Sequence, residues 1–230
     1  MRRRALQPEY LRLLSVPDMI VKQLTVGSMA VCCYVVGCEE TKKCCIIDPG
    51  GNEEQILAFC RGEDLSVEAI VCTHGHPDHV CGNAVIQQAT GAPILMHAAD
   101  AEFFARPEVI QYFSMLGLPP SPPVDRCVTD GEEIVIGNLT LTVLHTPGHT
   151  PGGICLYAAP HLFTGDTLFV EGLGRTDFPG GDTKQMLAAI KTKILTLPAE
   201  TVVWPGHGYG GARSTVGDEA KNNPYLKGNW

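Results

Sequence analysis

The chain has 230 residues, 44% of them hydrophobic, and a formal net charge of -8. That is enough apolar material for a substantial core, and the acidic balance argues against nucleic acid or an anionic membrane surface as a partner. No run approaches the roughly 18 apolar residues needed to span a bilayer. Arg2-Arg3-Arg4 is followed by Pro8, Glu9, Arg12, Pro17 and Asp18, which leave no room for the apolar stretch of a signal peptide, so a cytoplasmic protein is expected. Ten cysteines suggest a disulfide framework at first sight. Cys32-Cys33, Cys44-Cys45, Cys72 and Cys155 lie instead inside apolar runs, where a reduced thiol behaves as a small buried hydrophobe.

Residues 1–18 read as a loose arm and 19–230 as one domain, without a linker or a repeat. Met19–Val26 and Met29–Gly37 are predicted strands joined through Gly27-Ser28. A third strand, Lys43–Asp48, ends at Pro49-Gly50-Gly51, and a short helix is expected over Glu53–Arg61. The strand Glu68–Cys72, with its apolar run Ala69-Ile70-Val71-Cys72, delivers Thr73-His74-Gly75-His76-Pro77-Asp78-His79. Three imidazoles and a carboxylate within six positions form a dense set of Zn, Fe or Mn ligands.

A helix over Gly82–Thr90, a strand Ile94–His97 and a helical region from Ala98 to about Met115, broken at Pro107, follow. The proline-rich stretch 119–123 is expected to be a connection or a flap near a site. Strands return at Glu133–Ile136 and Leu139–Leu144 around the tight-turn pair Gly137-Asn138, and again at Ile154–Tyr157 and Leu162–Thr164. Thr183–Leu197 has helical spacing of Met186, Leu187, Ile190, Ile194 and Leu197. Thr201–Trp204 is a last strand, and Ser214–Asn222 a closing helix.

Four strands end in a potential ligand flanked by glycine or proline, which lets the backbone turn sharply: the histidine cluster, His149, Asp166 and His207. Thr73–His79, Thr146-Pro147-Gly148-His149-Thr150, Thr164-Gly165-Asp166-Thr167 and Pro205-Gly206-His207-Gly208, in that order, resemble the metal motifs of the metallo-β-lactamase superfamily, and within it the glyoxalase II branch. The resemblance runs from about Met19 onward. It implies an α/β fold, a four-layer αββα sandwich with metals at one sheet edge.

It also implies roles. His74, His76 and His149 would hold one divalent metal, Asp78, His79 and His207 a second, and Asp166 would bridge them. Zinc is the expected metal, with iron or manganese as alternatives. A shared carboxylate relieves repulsion between two cations, and metals lower the pKa of water from about 15.7 to roughly 7. Metal-bound hydroxide would then cleave a small-molecule thioester, with Asp78 as the catalytic carboxylate that helps orient it. Arg175 and Tyr209 match substrate-contacting positions of glyoxalase II. A second tyrosine and the helical C-terminal extension of those enzymes are not matched, which puts glutathione as the thiol in doubt. Gly174-Arg175-Thr176-Asp177-Phe178 is similar to persulfide dioxygenases as well. There a single iron would sit on His74, His149 and Asp166. Asp48 is expected to support the site without ligating, His145 to orient a ligand, and His97 and His161 to be structural or surface residues. A two-fold homodimer is the base-rate expectation for assembly.

Overall fold

A computed structural model describes residues 18–227, so the arm expected over 1–18 lies, Asp18 apart, outside the described residues. Strand β2 (Val31–Cys38) shows how the layers arise. Every residue in it is buried, because both faces of its sheet are covered. Side chains alternate across a strand, so Cys32, Tyr34 and Val36 face one apolar cluster while Val31, Cys33 and Val35 face another. The adjacent cysteines therefore cannot pair with each other. All ten cysteines are free, and only Cys127 is exposed.

β2 lies between β1 (Met19–Val26) and β3 (Lys43–Ile47), antiparallel to both. β4 (Ser66–Val71), β5 (Ile94–His97) and β6 (Arg126–Val128) continue the sheet in parallel. The second sheet runs β14-β13-β10-β9-β8-β7. Its members are β7 (Glu133–Ile136), β8 (Leu139–His145), β9 (Ile154–Ala158), β10 (His161–Gly165), β13 (Val202–Pro205) and β14 (Ser214–Thr215). β11 (Leu168–Phe169) and β12 (Gly172–Leu173) form a separate small hairpin.

The central core joins the facing surfaces of the two sheets. Val36, Ile47, Val71 and Leu95 from the first meet Leu141, Val143, Leu156 and Phe163 from the second. Tyr34 spans this core, and its hydroxyl donates to the Pro205 carbonyl at 2.6 Å. On the outer face of the first sheet lie α1 (Glu53–Gly62) and α3 (Asn83–Thr90), which bury Ile56, Cys60 and Ile86. On the outer face of the second lie α6 (Thr183–Ala189) and α7 (Val216–Asn222), which bury Met186 and Val216. The result is the αββα sandwich. Among the described residues, no helix is long and apolar enough to cross a membrane.

Some expected boundaries shift for local reasons. β2 starts at Val31 because the turn runs through Ala30, which adopts a left-handed φ of 56°. The helix expected over Thr183–Leu197 is α-helical only to Ala189 and becomes a π-helix over Ile190–Ile194, with Ile190 and Ile194 both fully buried. At the closing helix, Ser214 and Thr215 pair with β13 as an edge strand, and Thr215 caps α7 by accepting from the Asp218 amide. The proline-rich stretch does not cover the site. Ser121 accepts from Asn83 on α3, and the segment beside the site is α5 (Pro107–Phe113) with its following 3₁₀ turn, Ser114–Leu116.

Candidate metal centre

β4, β8, β10 and β13 all end at one edge of the sandwich. After β4 the chain turns through Cys72–Gly75 into α2 (Pro77–Val80), with Pro77 at its first position and His76 as its N-cap. His149 lies on the loop after β8, Asp166 follows Gly165 of β10, and His207 follows Gly206 beyond β13. Backbone bonds lock these ends together. The Ile154 amide donates to the Thr73 carbonyl, Gly206 to Gly165, and Cys32 to Gly206, at 2.7–2.8 Å.

Two glycines are required by close approach. A Cβ on Gly75 would lie 2.2 Å from the Phe104 ring, and one on Gly206 would lie 2.2 Å from an Asp166 carboxylate oxygen.

The predicted residues gather into two overlapping groups. Ring or carboxylate atoms of His74, His76 and His149 lie within 4.8 Å of one another, as do those of Asp78, His79 and His207. His76 Nδ1 approaches His149 Nε2 at 2.8 Å, and His79 Nε2 approaches His207 Nε2 at 3.2 Å. Asp166 stands between the groups, with Oδ2 at 3.5 Å from His149 Nε2 and 3.6 Å from His207 Nε2, and Oδ1 at 3.5 Å from His79 Nε2.

Hydrogen bonds on the far sides of the rings fix which nitrogens face inward. The Arg175 carbonyl can only accept, so His149 donates from Nδ1 at 2.6 Å and leaves Nε2 as a lone pair. Thr73 Oγ1 donates to Asp48 Oδ2 at 2.6 Å and therefore accepts from His74 Nδ1 at 3.0 Å, which turns His74 Nε2 inward. Asp48 Oδ2 also takes His79 Nδ1 at 3.0 Å. His74 Nε2 and Asp166 Oδ1 are buried without a hydrogen-bond partner. Such orphaned acceptors, set beside paired imidazole lone pairs, are costly unless cations satisfy them. The donor set thus fits two divalent ions.

Asp48, His74 and His79 also come close enough to form a third group. Asp48 is not free to ligate there. Its oxygens are taken by the Thr73 amide at 2.7 Å, the Thr73 hydroxyl and His79, so it orients two rings, in keeping with its expected supporting role.

Electrostatics follow the same layout. Burial and the neighbouring rings hold His74 and His76 well below the usual imidazole pKa. Burial alone would lower His79 too, but the Asp166, Asp78 and Asp48 carboxylates outweigh it and raise its pKa to about 10. In the metal-free site His79 therefore carries the proton that a cation would replace. Burial would raise Asp78, but the His79, His207 and His76 rings hold it well below the usual carboxylate range.

The remaining expectations fall out variously. Arg175 lines the cavity at the site, its guanidinium in a two-pronged pair with Asp177 at 2.9 and 2.8 Å and 4.2 Å above the Phe178 ring. Tyr209 lies at the rim, its ring stacked on His207 at 4.8 Å. His145 does not reach a ligand ring; it bonds the Pro151 carbonyl at 2.9 Å and stacks on His97 at 4.0 Å. It steadies the His149 loop. His97 is buried and caps α4 (Ala98–Phe104) by accepting from the Ala99 amide. His161 accepts from the Trp204 indole.

Sequence reasoning missed Asp100, which is fully buried and accepts from the Gly75 amide, the Thr150 hydroxyl and the Gly152 amide. It also missed the Phe104, Phe113 and Phe178 rings, whose centroids lie 5.0–5.6 Å from His76. A carboxylate in the first turn of a predicted helix was the available signal for Asp100; the three phenylalanines, spread along the sequence, carried none.

The sequence pattern of the Metallo-beta-lactamase superfamily matches residues 27–207. The chain belongs to that superfamily. Among its relatives, the hydroxyacylglutathione hydrolase GloC of Haemophilus influenzae is 34% identical over 192 residues, covering 82% of this chain and 89% of its own. The crystal structure of the BLEG-1 B3 metallo-beta-lactamase aligns with a TM-score of 0.83 at 34% identity, over 91% of this chain and 100% of the other. TTHA1623, solved in a di-iron-bound form, aligns at 0.78 and 36% identity, over 90% of this chain and 100% of the other. With its clustered His/Asp groups, this superfamily member is a metal-dependent hydrolase with a candidate dinuclear site.

Proposed function

We propose that the enzyme hydrolyses a small-molecule thioester, as glyoxalase II does. The observation that carries this reading is the gathering of both ligand groups around Asp166, supported by the name of the Haemophilus relative. In this reading His74, His76 and His149 would hold one cation and Asp78, His79 and His207 the other, with Asp166 available to both. Zinc is the first choice for both, because imidazole and carboxylate ligands suit it. Bound there, the two cations supply Lewis acidity and a lowered pKa for water.

The chain's own residues do the rest. Asp78 is held ionised, so it accepts a hydrogen bond from the attacking water and aims the oxygen lone pair at the carbonyl carbon. Addition of that oxygen and loss of the C–S bond yield a carboxylic acid and a thiol. Asp48 keeps His74 and His79 in the required tautomers. Phe104, Phe113 and Phe178 enclose the His76 side and limit stray water. Arg175 and Tyr209 contact the substrate at the rim.

The test is to load the purified protein with Zn, Mn or Fe, measure metal per chain, and assay S-D-lactoylglutathione and other thioesters. Two metals per chain and metal-dependent release of free thiol are expected. One iron per chain, with O₂ uptake on glutathione persulfide and no thioester turnover, would transfer the assignment to a persulfide dioxygenase on His74, His149 and Asp166.

A further inference from the structure

The cavity at the site, about 210 Å³, has an unusual mouth. Among the described residues nine large apolar side chains are exposed, and five of them, Met29, Tyr112, Met115, Leu116 and Tyr209, line this one opening. Single exposed apolar residues need no explanation, but a cluster continuous with a binding cavity does. Met115 is 77% exposed and Met29 43%, and they come from separate segments, the 3₁₀ turn after α5 and the β1–β2 turn. Deeper in, Phe113, Phe169 and Phe178 continue the apolar surface down to His76, Asp78 and His149.

The charge at the mouth supports the same conclusion. Arg175 is the only lysine or arginine among the described residues lining the cavity, and Asp177 already engages both prongs of its guanidinium. Its other face rests on Phe178. An anionic thiol peptide entering here would meet, among the described residues lining the rim, no lysine or arginine without a carboxylate partner, and mostly apolar side-chain surface. Methionine adapts to variable apolar shapes, so such a lip tolerates a range of chain forms.

We propose that the mouth binds an uncharged apolar moiety of the thioester, of medium-chain or aromatic size, in preference to an anionic thiol peptide. This rests on the thioesterase reading for its reaction. The apolar moiety can belong to the acyl group or to the thiol, and two substrate series separate these sources. In one, acetyl, butyryl, hexanoyl and octanoyl groups are carried on N-acetylcysteamine; in the other, acetyl is carried on glutathione, N-acetylcysteamine or benzyl mercaptan.

Half the full burial of each methylene corresponds to about twofold per carbon in kcat/KM, or about 60-fold from acetyl to octanoyl. A steep acyl series places the apolar group on the acyl side, and preference for benzyl mercaptan over glutathione places it on the thiol side. Flat responses in both, or preference for glutathione, overturn the proposal. The exposed double variant Met115→Ser/Leu116→Ser is expected to lower the octanoyl-to-acetyl ratio several-fold; an unchanged ratio counts against the mouth as the subsite.

Calorimetric binding of S-ethyl and S-octyl thioethers of N-acetylcysteamine reads the same surface without turnover. Tighter octyl binding with a negative heat-capacity change supports the apolar mouth. If thioethers bind in this order and no thioester is cleaved, the thioesterase reading fails while the apolar mouth stands. If thioesters turn over and neither series nor binding responds to apolar size, only the mouth proposal fails.

Discussion

Asp100 offers the sharpest test of how the site is held together. Its carboxylate ties the loop of His74 and His76 to the loop of His149, through Gly75 at 2.9 Å on one side and Thr150 at 2.7 Å and Gly152 at 2.5 Å on the other. Burial pushes its pKa up to about 6 from 3.8, and the three donors hold it down only in part. A folded-state pKa above the unfolded value means that the native protein keeps this proton longer. Stability from this group is therefore present below pH 3.8 and is lost as pH rises to about 6, at up to 1.36 kcal/mol per unit, about 3 kcal/mol in all. Asp100→Asn removes the titration and turns one acceptor into a donor, leaving a buried amide unpaired at a pH-independent cost of about 1–3 kcal/mol. The variant should be less stable than the parent at pH 3.5 and close to parity at pH 7. Urea denaturation of both proteins under a chelator, across this range, gives the difference directly, because shared titrations cancel. Parallel stability curves would refute the reading of Asp100 as an ionised tie held at a cost.

Three further outcomes are expected. Gly206→Ala places a Cβ 2.2 Å from the Asp166 carboxylate, so metal retained after dialysis should fall below that of the parent while the far-UV circular dichroism spectrum stays the same. Asp48→Asn disturbs the acceptor shared by Thr73 and His79 and should weaken metal affinity by about 10- to 100-fold, read by chelator competition. It should also flatten a pH effect in the metal-free parent. His79 has a pKa raised to about 10, so its contribution is present below pH 6.5 and lost as pH rises through 10, and Asp48 supplies part of that rise. Tyr34→Phe leaves the buried Pro205 carbonyl unpaired and should cost about 1–3 kcal/mol in urea denaturation, with no change in metal content.

Much of the fold was legible because its strands are bounded by strong punctuation. Gly137-Asn138 marks the β7–β8 hairpin, and Ile94–His97 has the bounds expected of it. What escaped depends on partners far away in sequence. Arg126–Val128 is short and half polar, and becomes a strand only by pairing with β5. β11 and β12 have two residues each and no periodicity to read. The Ile190–Ile194 segment shows the limit of helical spacing. A pattern compatible with an α-helix is met in a π-helix, because packing under the second sheet decides which residues are buried.

The site divides along a similar line. His74, His76, Asp78, His79, His149, Asp166 and His207 stand out because glycine or proline within or beside each of the four motifs breaks the chain where it must turn inward, and that signal is local. Asp100 carries no such signal. It sits in an ordinary first helical turn, and its meaning appears only once β5 delivers α4 beneath two loops that lie 25 and about 50 residues away in sequence. Arg175 shows the converse. Its motif points to substrate, yet its carbonyl orients His149 and its guanidinium is engaged by Asp177. One residue thus links the geometry of a ligand to the character of the mouth. Changing its side chain alone should alter substrate choice while leaving the His149 tautomer in place, because the bond that fixes that tautomer is made by the backbone.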